Sequence, residues 1–536
     1  MKRTVTAITN SWRSIPMLLQ LLLIAGFACA IFITAQGIIY HVFFSYDQAR
    51  DAFEANSILH DDHLKILGPS TDIPGVFHGV LWYYALAVPY MLYNQPEFAA
   101  LFFSILLYVS AGVLALLTQR LFSQTKITIV AFLLYILSPL FQMSTHWLSN
   151  PILSLLAVPV LLFFLWDFLE KPRALSALLS GVLFGIFIQG EFAFALLLIC
   201  LPLFLFIFKT HITIKQCAAF LIGLLLLLSS FFIAEIKFHF QGIKGAVSFL
   251  YNTDHGHVTL QLLLENFLKR STDFFTTTTF AFSSTIVLFL LGIFTCALIR
   301  KMKGEDKKPL LFVGIWLGSL LLFQFFSSGI STSYFLFYAF FPSGVIATAY
   351  LLITFLKNKF IFFLGIIFLF FCQIQLSQTY LTNNFVIFTV QQGATLPEEK
   401  AIVNYTYQKA YNKPFSIITM TNPLYINTTW AYLYQHYGMT QYGYLPYFAG
   451  RGQTGQLGNL PEKTFATDIR FLIFEPNEGI PYIYPIKIAY DEDKVSDIIE
   501  EKHFGDYIVQ MRRFHKNKPI PTPPAMLLNS PLLHED

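Results

Sequence analysis

The sequence predicts a polytopic α-helical membrane protein that carries a small α/β domain at its C-terminal end. Of its 536 residues, 55% are hydrophobic and only 12% are charged, about half the charged fraction of a soluble domain. Apolar runs of about 18 residues or more recur along residues 15–380 and are long enough to cross a bilayer as helices. From residue 381 onward the chain becomes polar and rich in tyrosine and asparagine.

The distribution of charge predicts the topology. The net charge of +4 is small, and the basic residues are spread among loops instead of forming a patch, so we expect no nucleic-acid partner. Basic residues beside spans mark the cytoplasmic side of a membrane protein. Lys2, Arg3 and Arg13 therefore predict a cytoplasmic N-terminus. The five cysteines fall inside apolar runs, where neither a disulfide nor a metal site is expected.

The same rule places the aromatic segment at residues 78–93. If this segment lies on the outer membrane surface without crossing, the basic clusters between the later spans all become cytoplasmic. About eleven spans follow, and the C-terminal residues then lie outside the cytoplasm. The predicted spans are 15–40, 98–118, 127–142, 151–167, 175–190, 191–208, 217–236, 276–299, 309–328, 334–356 and 360–380.

This topology predicts two domains in a multi-pass protein of the plasma (bacterial cytoplasmic) membrane. Residues 1–380 form a transmembrane domain, whose first outer loop at residues 41–97 contains juxtamembrane helices. Residues 381–536 form a small extracytoplasmic α/β domain, because predicted helices and buried strands alternate there. Its predicted elements are helices at 397–411 and 494–501 and strands at 415–420, 469–474 and 507–511.

The first outer loop opens with three acidic residues at helical spacing. Asp47, Asp51 and Glu54 fall at i, i+4 and i+7, so a helix over residues 47–59 would place them on one face. One of these carboxylates could deprotonate an acceptor hydroxyl as a general base, provided that it lies within hydrogen-bonding distance. The alternative is an amphipathic helix on the membrane surface with its acidic face in water.

Histidines and a lysine follow in the same loop. The segment His60-Asp-Asp-His63 and Lys65 combine metal-ligand types with basic groups, but the spacing matches no tight metal motif, and a solvated loop is the alternative. His78 opens the aromatic segment, where its side chain could contact a lipid phosphate. Asp254 and His257 form a weaker pair of the same kind in a later loop.

Further polar residues are predicted at the same outer face. His146 and Asn150 lie at a turn between two spans, and because Asn150 precedes Pro151, helix capping is an alternative role for its side chain. Gln189 and Glu191 flank a glycine between two later spans. The Glu191 carboxylate could bind a sugar hydroxyl or a cation, or lie in the water layer.

Four short segments occur in a characteristic order. They are Tyr46-Asp-Gln-Ala-Arg-Asp51, Gly79-Val-Leu-Trp-Tyr-Tyr84, Trp147-Leu-Ser-Asn-Pro151 and Ser333-Tyr-Phe-Leu-Phe-Tyr-Ala-Phe-Phe-Pro342. They resemble the acidic first-loop motif, the aromatic juxtamembrane helix, the second outer loop and the late span of GT-C superfamily membrane glycosyltransferases. The similarity covers roughly residues 15–345. It is greatest for the branch with protein O-mannosyltransferases and aminoarabinose transferases (glycosyltransferase family 39-like).

The resemblance implies a reaction and its substrates. The donor would be a polyprenyl phosphate that carries one sugar, and the acceptor would be a lipid, a glycan or a protein at the outer face of the lipid bilayer. Transfer would invert the anomeric carbon, with Asp47 as the general base and Asp51 as a second catalytic candidate. No cofactor is certain, and a divalent metal ion stays open because some members of the superfamily use one.

The resemblance also implies binding roles. His78, with Lys65 and His63 nearby, would support the donor phosphate as it leaves. Sugar and acceptor binding would involve His146, Asn150, Gln189, Glu191 and Tyr334. The chain departs from the family pattern at Gln48, where many relatives carry Glu, so the identities of the sugar and the acceptor stay open.

Three other functions remain alternatives. A lipid or glycan transporter or flippase would need ionisable residues at mid-membrane and two related halves. A polymerase or ligase of surface glycans would concentrate its chemistry in one large late loop. A non-catalytic GT-C-like scaffold would keep the fold without the reaction. Loss of activity on substitution of Asp47 would favour the enzymes.

Overall fold

The computed structural model describes residues 15–61, 64–252, 259–281, 306–320, 333–411, 413–462, 467–515, 521–528 and 530. Helices dominate these residues, and a small sheet lies near the C-terminus. The α-helices are, in chain order, α1 (Met17–Tyr40), α2 (Tyr46–His60), α3 (Leu81–Leu92), α4 (Pro96–Phe122), α5 (Thr125–Leu137), α6 (Pro139–Ser144), α7 (Ile152–Glu170), α8 (Ala174–Gly190), α9 (Cys200–Phe208), α10 (Ile214–Lys237), α11 (Gln241–Asn252), α12 (Leu260–Thr278), α13 (Lys307–Gly318), α14 (Phe341–Phe355), α15 (Lys359–Thr382), α16 (Leu396–Ala410), α17 (Thr428–Tyr432), α18 (Met439–Tyr442), α19 (Ile483–Asp493) and α20 (Ala525–Leu528). Two 3₁₀ segments (Phe192–Ile199 and Tyr334–Ala339) and a π-helical turn (Leu433–Gly438) occur between helices.

The chain divides into two compact units. The first unit contains Met1–Ile38 and Asp61–Thr379, and the second contains Ile39–His60 and Tyr380–Asp536. Helix α2, which the sequence analysis assigned to the first outer loop, is therefore grouped with the C-terminal residues. A functional domain boundary at residue 380 stays a prediction.

The helices of the first unit are those of a membrane protein. Among the described residues, five helices are long and apolar enough to cross a membrane, namely α1, α4, α7, α10 and α15. Shorter apolar helices are α3, α5, α8, α14 and the stretch Phe192–Phe208. The predicted spans 276–299 and 309–328 lie partly outside the described residues. The total of about eleven spans therefore stays a prediction.

The predicted span at residues 127–142 is two helices instead of one. Helix α5 ends at Leu137 and α6 begins at Pro139. Pro139 has no backbone N–H and its ring prevents the preceding helix from continuing. The Ser138 hydroxyl accepts a hydrogen bond from Phe141 N at 3.1 Å, so it caps the new helix. The break directs the chain toward the turn that contains His146.

Helices α8 and α10 pack through glycines. A Cβ atom on Gly181 would lie 2.0 Å from the carbonyl oxygen of Phe220, and one on Gly223 would lie 2.4 Å from that of Leu178. Small residues at these positions allow the two backbones to approach closely, as is common between membrane helices. This contact fixes the end of α8, where Gln189 and Gly190 lie.

The second unit contains a five-stranded sheet of order β2-β1-β3-β5-β4. Its strands are β1 (Ser416–Met420), β2 (Tyr447–Phe448), β3 (Ile469–Phe474), β4 (Ser496–Phe504) and β5 (Tyr507–Phe514). β1 pairs in parallel with β2 and β3, whereas β5 pairs antiparallel with β3 and β4. All residues of β1 are buried. The helices and strands of this unit confirm the predicted mixture of α and β elements.

Strand β4 corrects the helix predicted at residues 494–501. Residues Ser496–Phe504 pair antiparallel with β5 and form an edge of the sheet. The charged residues of this segment favour a helix locally, but the hydrogen-bond ladder of the hairpin outweighs this weak preference. Gly505, with φ +54°, permits the tight turn between the two strands.

Candidate functional site

The residue pair His78 and Glu191 forms the centre of a polar cluster in the first unit. Nδ1 of His78 lies 3.9 Å from Oε2 of Glu191. Beside it, Gly79 N donates to the Gln189 carbonyl oxygen at 3.1 Å, and Leu81 N donates to Gln189 Oε1 at 3.2 Å. A Cβ atom on Gly79 would lie only 1.9 Å from Gln189 Oε1. The glycine therefore allows the start of the aromatic segment to contact the end of α8.

Asn150 belongs to the same cluster. Its Nδ2 atom donates to the Gly190 carbonyl oxygen at 2.6 Å. The cap residue of α7 is Pro151 and has no side-chain cap bond, so the capping role considered for Asn150 is wrong. Glu191 itself caps the following 3₁₀ segment, because its Oε1 atom accepts from Ala193 N at 3.2 Å. The structure thus joins His78, Asn150, Gln189 and Glu191, which come from three separate stretches of sequence.

A cavity of about 680 Å³ extends from His78, a volume typical of ligand pockets. The loop before α3, the end of α10 and the first turns of α11 line it, and apolar side chains such as Phe77, Phe192 and Phe231 predominate. Glu235 is a charged residue in its wall. The lining is therefore mostly apolar, and His78 and Glu235 are its ionisable residues.

The other predicted residues of the first unit lie on neighbouring or separate elements. His146 packs against α1, where a Cβ atom on Gly37 would lie 2.6 Å from its Nδ1 atom. The carbonyl oxygen of Lys65 accepts from the Tyr84 hydroxyl at 3.0 Å, which connects the loop before α3 to that helix. Tyr334 begins a 3₁₀ segment, and its ring lies 5.6 Å from that of Phe337.

Several predicted ligand residues cannot be placed. His63, Asp254 and His257 lie outside the described residues. Within the described parts of the chain, no group of three or more His, Cys, Asp or Glu side chains could hold a metal ion. The divalent metal considered from the sequence therefore stays open.

Asp47 and Asp51 lie on α2 of the second unit and have different surroundings. The Arg50 side chain pairs with both, through Nη1 to Asp47 Oδ1 at 2.7 Å and through Nη2 to Asp51 Oδ1 at 2.7 Å. Its Nε atom also donates to Asp51 Oδ1 at 2.9 Å. The Asp47 side chain is 57% exposed and that of Asp51 only 1%. Asp51 is thus not on the solvated face that the alternative required, whereas Asp47 is exposed.

Two buried arginines were not among the site residues predicted from the sequence. Arg50 organises both aspartates, and its position between them along one helix was the available signal. Arg270 lies on α12 and is only 7% exposed. One turn later on α12, the ring of Phe274 lies 5.3 Å from that of Phe337, beside Tyr334. The sequence offered no signal for this second residue, because arginine is usually exposed and its burial here results from packing.

Comparisons with known proteins give matches at the level of structure. No protein-family model and no curated protein matches the sequence. ArnT from Cupriavidus metallidurans in the apo state has a TM-score of 0.55 and 13% identity, over 91% of this chain and 97% of that chain. ArnT bound to undecaprenyl phosphate has the same TM-score and coverage at 12% identity. The Archaeoglobus fulgidus oligosaccharyltransferase complex with Zn and sulfate has a TM-score of 0.47 at 13% identity, over 75% of this chain and 60% of that chain.

These matches identify the fold. ArnT is an aminoarabinose transferase of the GT-C superfamily, and this chain shares its fold over nearly the whole length of both proteins. The resemblance drawn from four sequence segments is thereby confirmed at the level of the fold. At this level of sequence identity, the matches show a shared fold and do not show a shared reaction.

Proposed function

We propose that this chain is a membrane glycosyltransferase that moves a single sugar from a polyprenyl-phosphate-linked donor to an acceptor at the extracytoplasmic face. The observation that carries the proposal is the apolar cavity that begins at His78, in a chain with the fold of ArnT. One structure of ArnT contains undecaprenyl phosphate. Such a ligand combines a long apolar chain with one anionic end, and the mainly apolar lining of the cavity supports the placement of that chain there.

The donor would lie with its polyprenyl chain in the cavity and its phosphate at His78. Burial of the chain against residues such as Phe77 and Phe231 favours binding, because apolar surface leaves water. A protonated His78 would hydrogen-bond the phosphate, as cationic donors do. Lys65 and His63 are the further basic residues that we assign to this end of the donor.

The transfer step would be a single displacement. Asp47 would take the proton from an acceptor hydroxyl, and the oxygen would form a bond to the anomeric carbon of the sugar. The bond from that carbon to the phosphate oxygen would break, and the polyprenyl phosphate would leave with the electron pair. We assign Asp51 to the support of Asp47 through Arg50, since both carboxylates bind the same guanidinium.

The remaining polar residues would orient the sugar and the acceptor. Asn150, Gln189 and Glu191 are joined at the end of α8 beside His78, so hydroxyl groups near the donor phosphate are their natural ligands. We assign His146 and Tyr334 to the same task on neighbouring elements. The acceptor is a lipid, a glycan or a protein, and a divalent ion that assists the phosphate stays open.

The proposal also includes the orientation of the chain. We place it in the plasma (bacterial cytoplasmic) membrane with about eleven crossings, a cytoplasmic N-terminus and an extracytoplasmic C-terminal domain. Such an orientation would expose the first outer loop and the C-terminal domain to the compartment in which the acceptor lies.

Sugar transfer by the purified protein tests the proposal. Labelled polyprenyl-phosphate sugars and a host membrane extract would be supplied to wild type, Asp47→Asn and the control Asp72→Asn, which alters an exposed acid in the same outer loop. We expect transfer by wild type and the control, and a loss of about 100-fold or more for Asp47→Asn, because general-base catalysis contributes about that factor.

Other outcomes have defined meanings. Equal transfer by wild type and folded Asp47→Asn would remove Asp47 as the base and direct attention to Asp51. If well-folded wild type transferred no sugar from any polyprenyl-phosphate donor, the glycosyltransferase proposal would be wrong, and the transporter or the scaffold would be favoured.

A further inference from the structure

Helix α2 is docked into the second unit by one aromatic side chain. The Phe53 ring lies edge-to-face on the Tyr432 ring, with centroids 5.3 Å apart, and 5.6 Å from the His436 ring. Gly458 lies at the tip of the Phe53 ring, because a Cβ atom there would lie 2.0 Å from Cζ of Phe53. We call Tyr432, His436 and Gly458 the Phe53 socket. Its aromatic walls add favourable ring contacts to the burial of Phe53.

Local structure explains why the socket has this shape. Tyr432 directly precedes the π-helical turn Leu433–Gly438, which contains His436, and the two rings lie 4.4 Å apart. Gln435 in the same turn donates through Nε2 to the Gly458 carbonyl oxygen at 3.1 Å. The π-helical turn therefore holds both walls of the socket, and such turns occur frequently at functional sites.

A second attachment lies just before α2. The backbone N–H of Phe44 donates to the Ala394 carbonyl oxygen at 3.1 Å, and Leu396 N donates to the Val42 carbonyl oxygen at 2.9 Å. These bonds pair the segment before α2 with the segment before α16 in an antiparallel manner. The Phe44 ring also lies 5.3 Å from that of Tyr432. Both attachments connect α2 to residues near or beyond 394, which are distant in sequence.

The position of the Asp47 carboxylate depends on the position of the whole helix. Its recorded ion pair is with Arg50, which lies on α2 itself. An aspartate side chain is short, so it cannot compensate for a displaced helix. Because a misplacement of about 1 Å can cost about 100-fold in rate, whatever anchors α2 also controls the general base.

We propose that the C-terminal α/β domain positions α2 through the Phe53 socket and the paired segments, and thereby holds Asp47 in its working position. The proposal rests on the proposed function in taking Asp47 as the base. It gives the domain a task in catalysis, with Phe53, Tyr432, His436 and Gly458 as positioning residues. A socket closed by a glycine offers a steric test.

The test compares glycine substitutions in one loop of the full-length protein. Gly458→Ala places a methyl group against Phe53, at a backbone φ of +69°. Gly455→Ala is the matched control, because it has a similar φ of +80° and open space around its Cβ position. Phe53→Val, alone and in combination with Gly458→Ala, tests whether the methyl group acts through the Phe53 ring, since the smaller side chain leaves room for it.

Two measurements are made on each variant. Hydrogen exchange reports the order of residues 46–60, with β1 as the internal reference for a folded domain. Sugar transfer reports kcat and the KM of the donor. For Gly458→Ala we expect faster exchange in residues 46–60 alone, a kcat lower by about 10-fold or more and an unchanged KM. Gly455→Ala should resemble wild type, and adding Gly458→Ala to Phe53→Val should cause no further change.

Each outcome supports or overturns the proposal. If Gly458→Ala leaves the exchange of residues 46–60 at the wild-type rate, the socket does not anchor α2. If exchange rises while kcat is unchanged, the anchoring has no catalytic consequence and the positioning role is wrong. If wild type transfers no sugar at all, the proposed function and the catalytic role of the socket are both wrong. The hydrogen-exchange rates of residues 46–60 then still show whether the socket anchors α2.

Discussion

At the scale of single residues, burial separates two aspartates of identical chemistry. Asp47 and Asp51 share Arg50, yet the side chain of Asp47 is 57% exposed and that of Asp51 is 1% exposed. An exposed ion pair contributes little to stability, whereas removal of one partner of a buried pair leaves an uncompensated charge. Their roles should therefore differ, with Asp47 serving the reaction and Asp51 serving the helix.

Amide substitutions of the two aspartates test this division. We expect Asp51→Asn to lower the free energy of unfolding by about 3 kcal/mol, because the charge of Arg50 would lose its buried partner. Asp47→Asn should change it by less than about 1 kcal/mol. Thermal unfolding of the detergent-solubilised protein measures both. Equal losses for the two variants would contradict the division.

A buried carboxyl group in the second unit gives stability an unusual pH dependence. Glu475 is 5% exposed, and burial raises its pKa to about 7, although hydrogen bonds from Trp430 Nε1 and Asn422 N, each 2.8 Å, oppose the shift. Burial also raises the pKa of the nearby Glu399 well above its ordinary value, in part because the two carboxylates repel each other. Tyr507 donates to Glu399 at 2.8 Å.

Glu475 should therefore make the protein less stable as the pH rises. Between pH 4.5 and about 7, Glu475 keeps a proton in the folded chain that it has released in the unfolded chain. The stabilisation that this difference gives the folded state is fully present below pH 4.5 and is lost as the pH rises through 7. Between pH 5 and 8, the free energy of unfolding should therefore fall by about 1 to 3 kcal/mol less in Glu475→Gln than in wild type. Unfolding of wild type, Glu475→Gln and the exposed-site control Glu478→Gln would measure it. Parallel pH profiles for wild type and Glu475→Gln would exclude the effect.

At the scale of elements, local sequence predicted most of the described helices but not α11 and α12. It was also wrong where a partner strand or a proline decided the outcome. The strands at β1, β3 and β5 follow from short apolar runs, and the helix at α16 follows from its proline start and acidic first turn. The segment of β4 is charged and lies at a sheet edge, so its strand depends on pairing with β5.

Helix α2 was predicted from its local sequence, but its contact with the C-terminal residues was not. The spacing of Asp47, Asp51 and Glu54 predicted a helix, and the structure confirms one over Tyr46–His60. Its attachment to Tyr432, almost 380 positions later, is a long-range contact that local spacing does not contain. The comparison of Gly458→Ala with Gly455→Ala asks whether α2 as a whole loses its position when the Phe53 socket is altered.

At the scale of the whole molecule, composition and charge predicted the class of protein. The fold shared with ArnT over 91% of this chain confirms the resemblance of the four sequence segments at the level of the fold. The orientation in the membrane stays a prediction from the positive-inside rule, because basic loops determine it and the fold alone does not.

Labelling of single cysteines in a cysteine-free background checks that orientation. We expect an impermeant maleimide to modify Asp72→Cys and Gly452→Cys in intact cells, because these exposed positions belong to the first outer loop and the C-terminal domain. Ser123→Cys, exposed between α4 and α5, should react only after lysis. Labelling of Ser123→Cys in intact cells, with Asp72→Cys protected, would reverse the topology.

The sequence by itself determined that this chain is a helical membrane protein with an α/β tail, and it singled out His78, Asn150, Gln189 and Glu191. Hydrophobicity, charge and helical period are properties of neighbouring residues, so a linear reading captures them. Only the tertiary structure decided that these four residues belong to one cluster, that Asp51 is buried, and that α2 is grouped with the C-terminal residues. Each of these depends on contacts between residues far apart in sequence, whose energies appear only when the chain has packed.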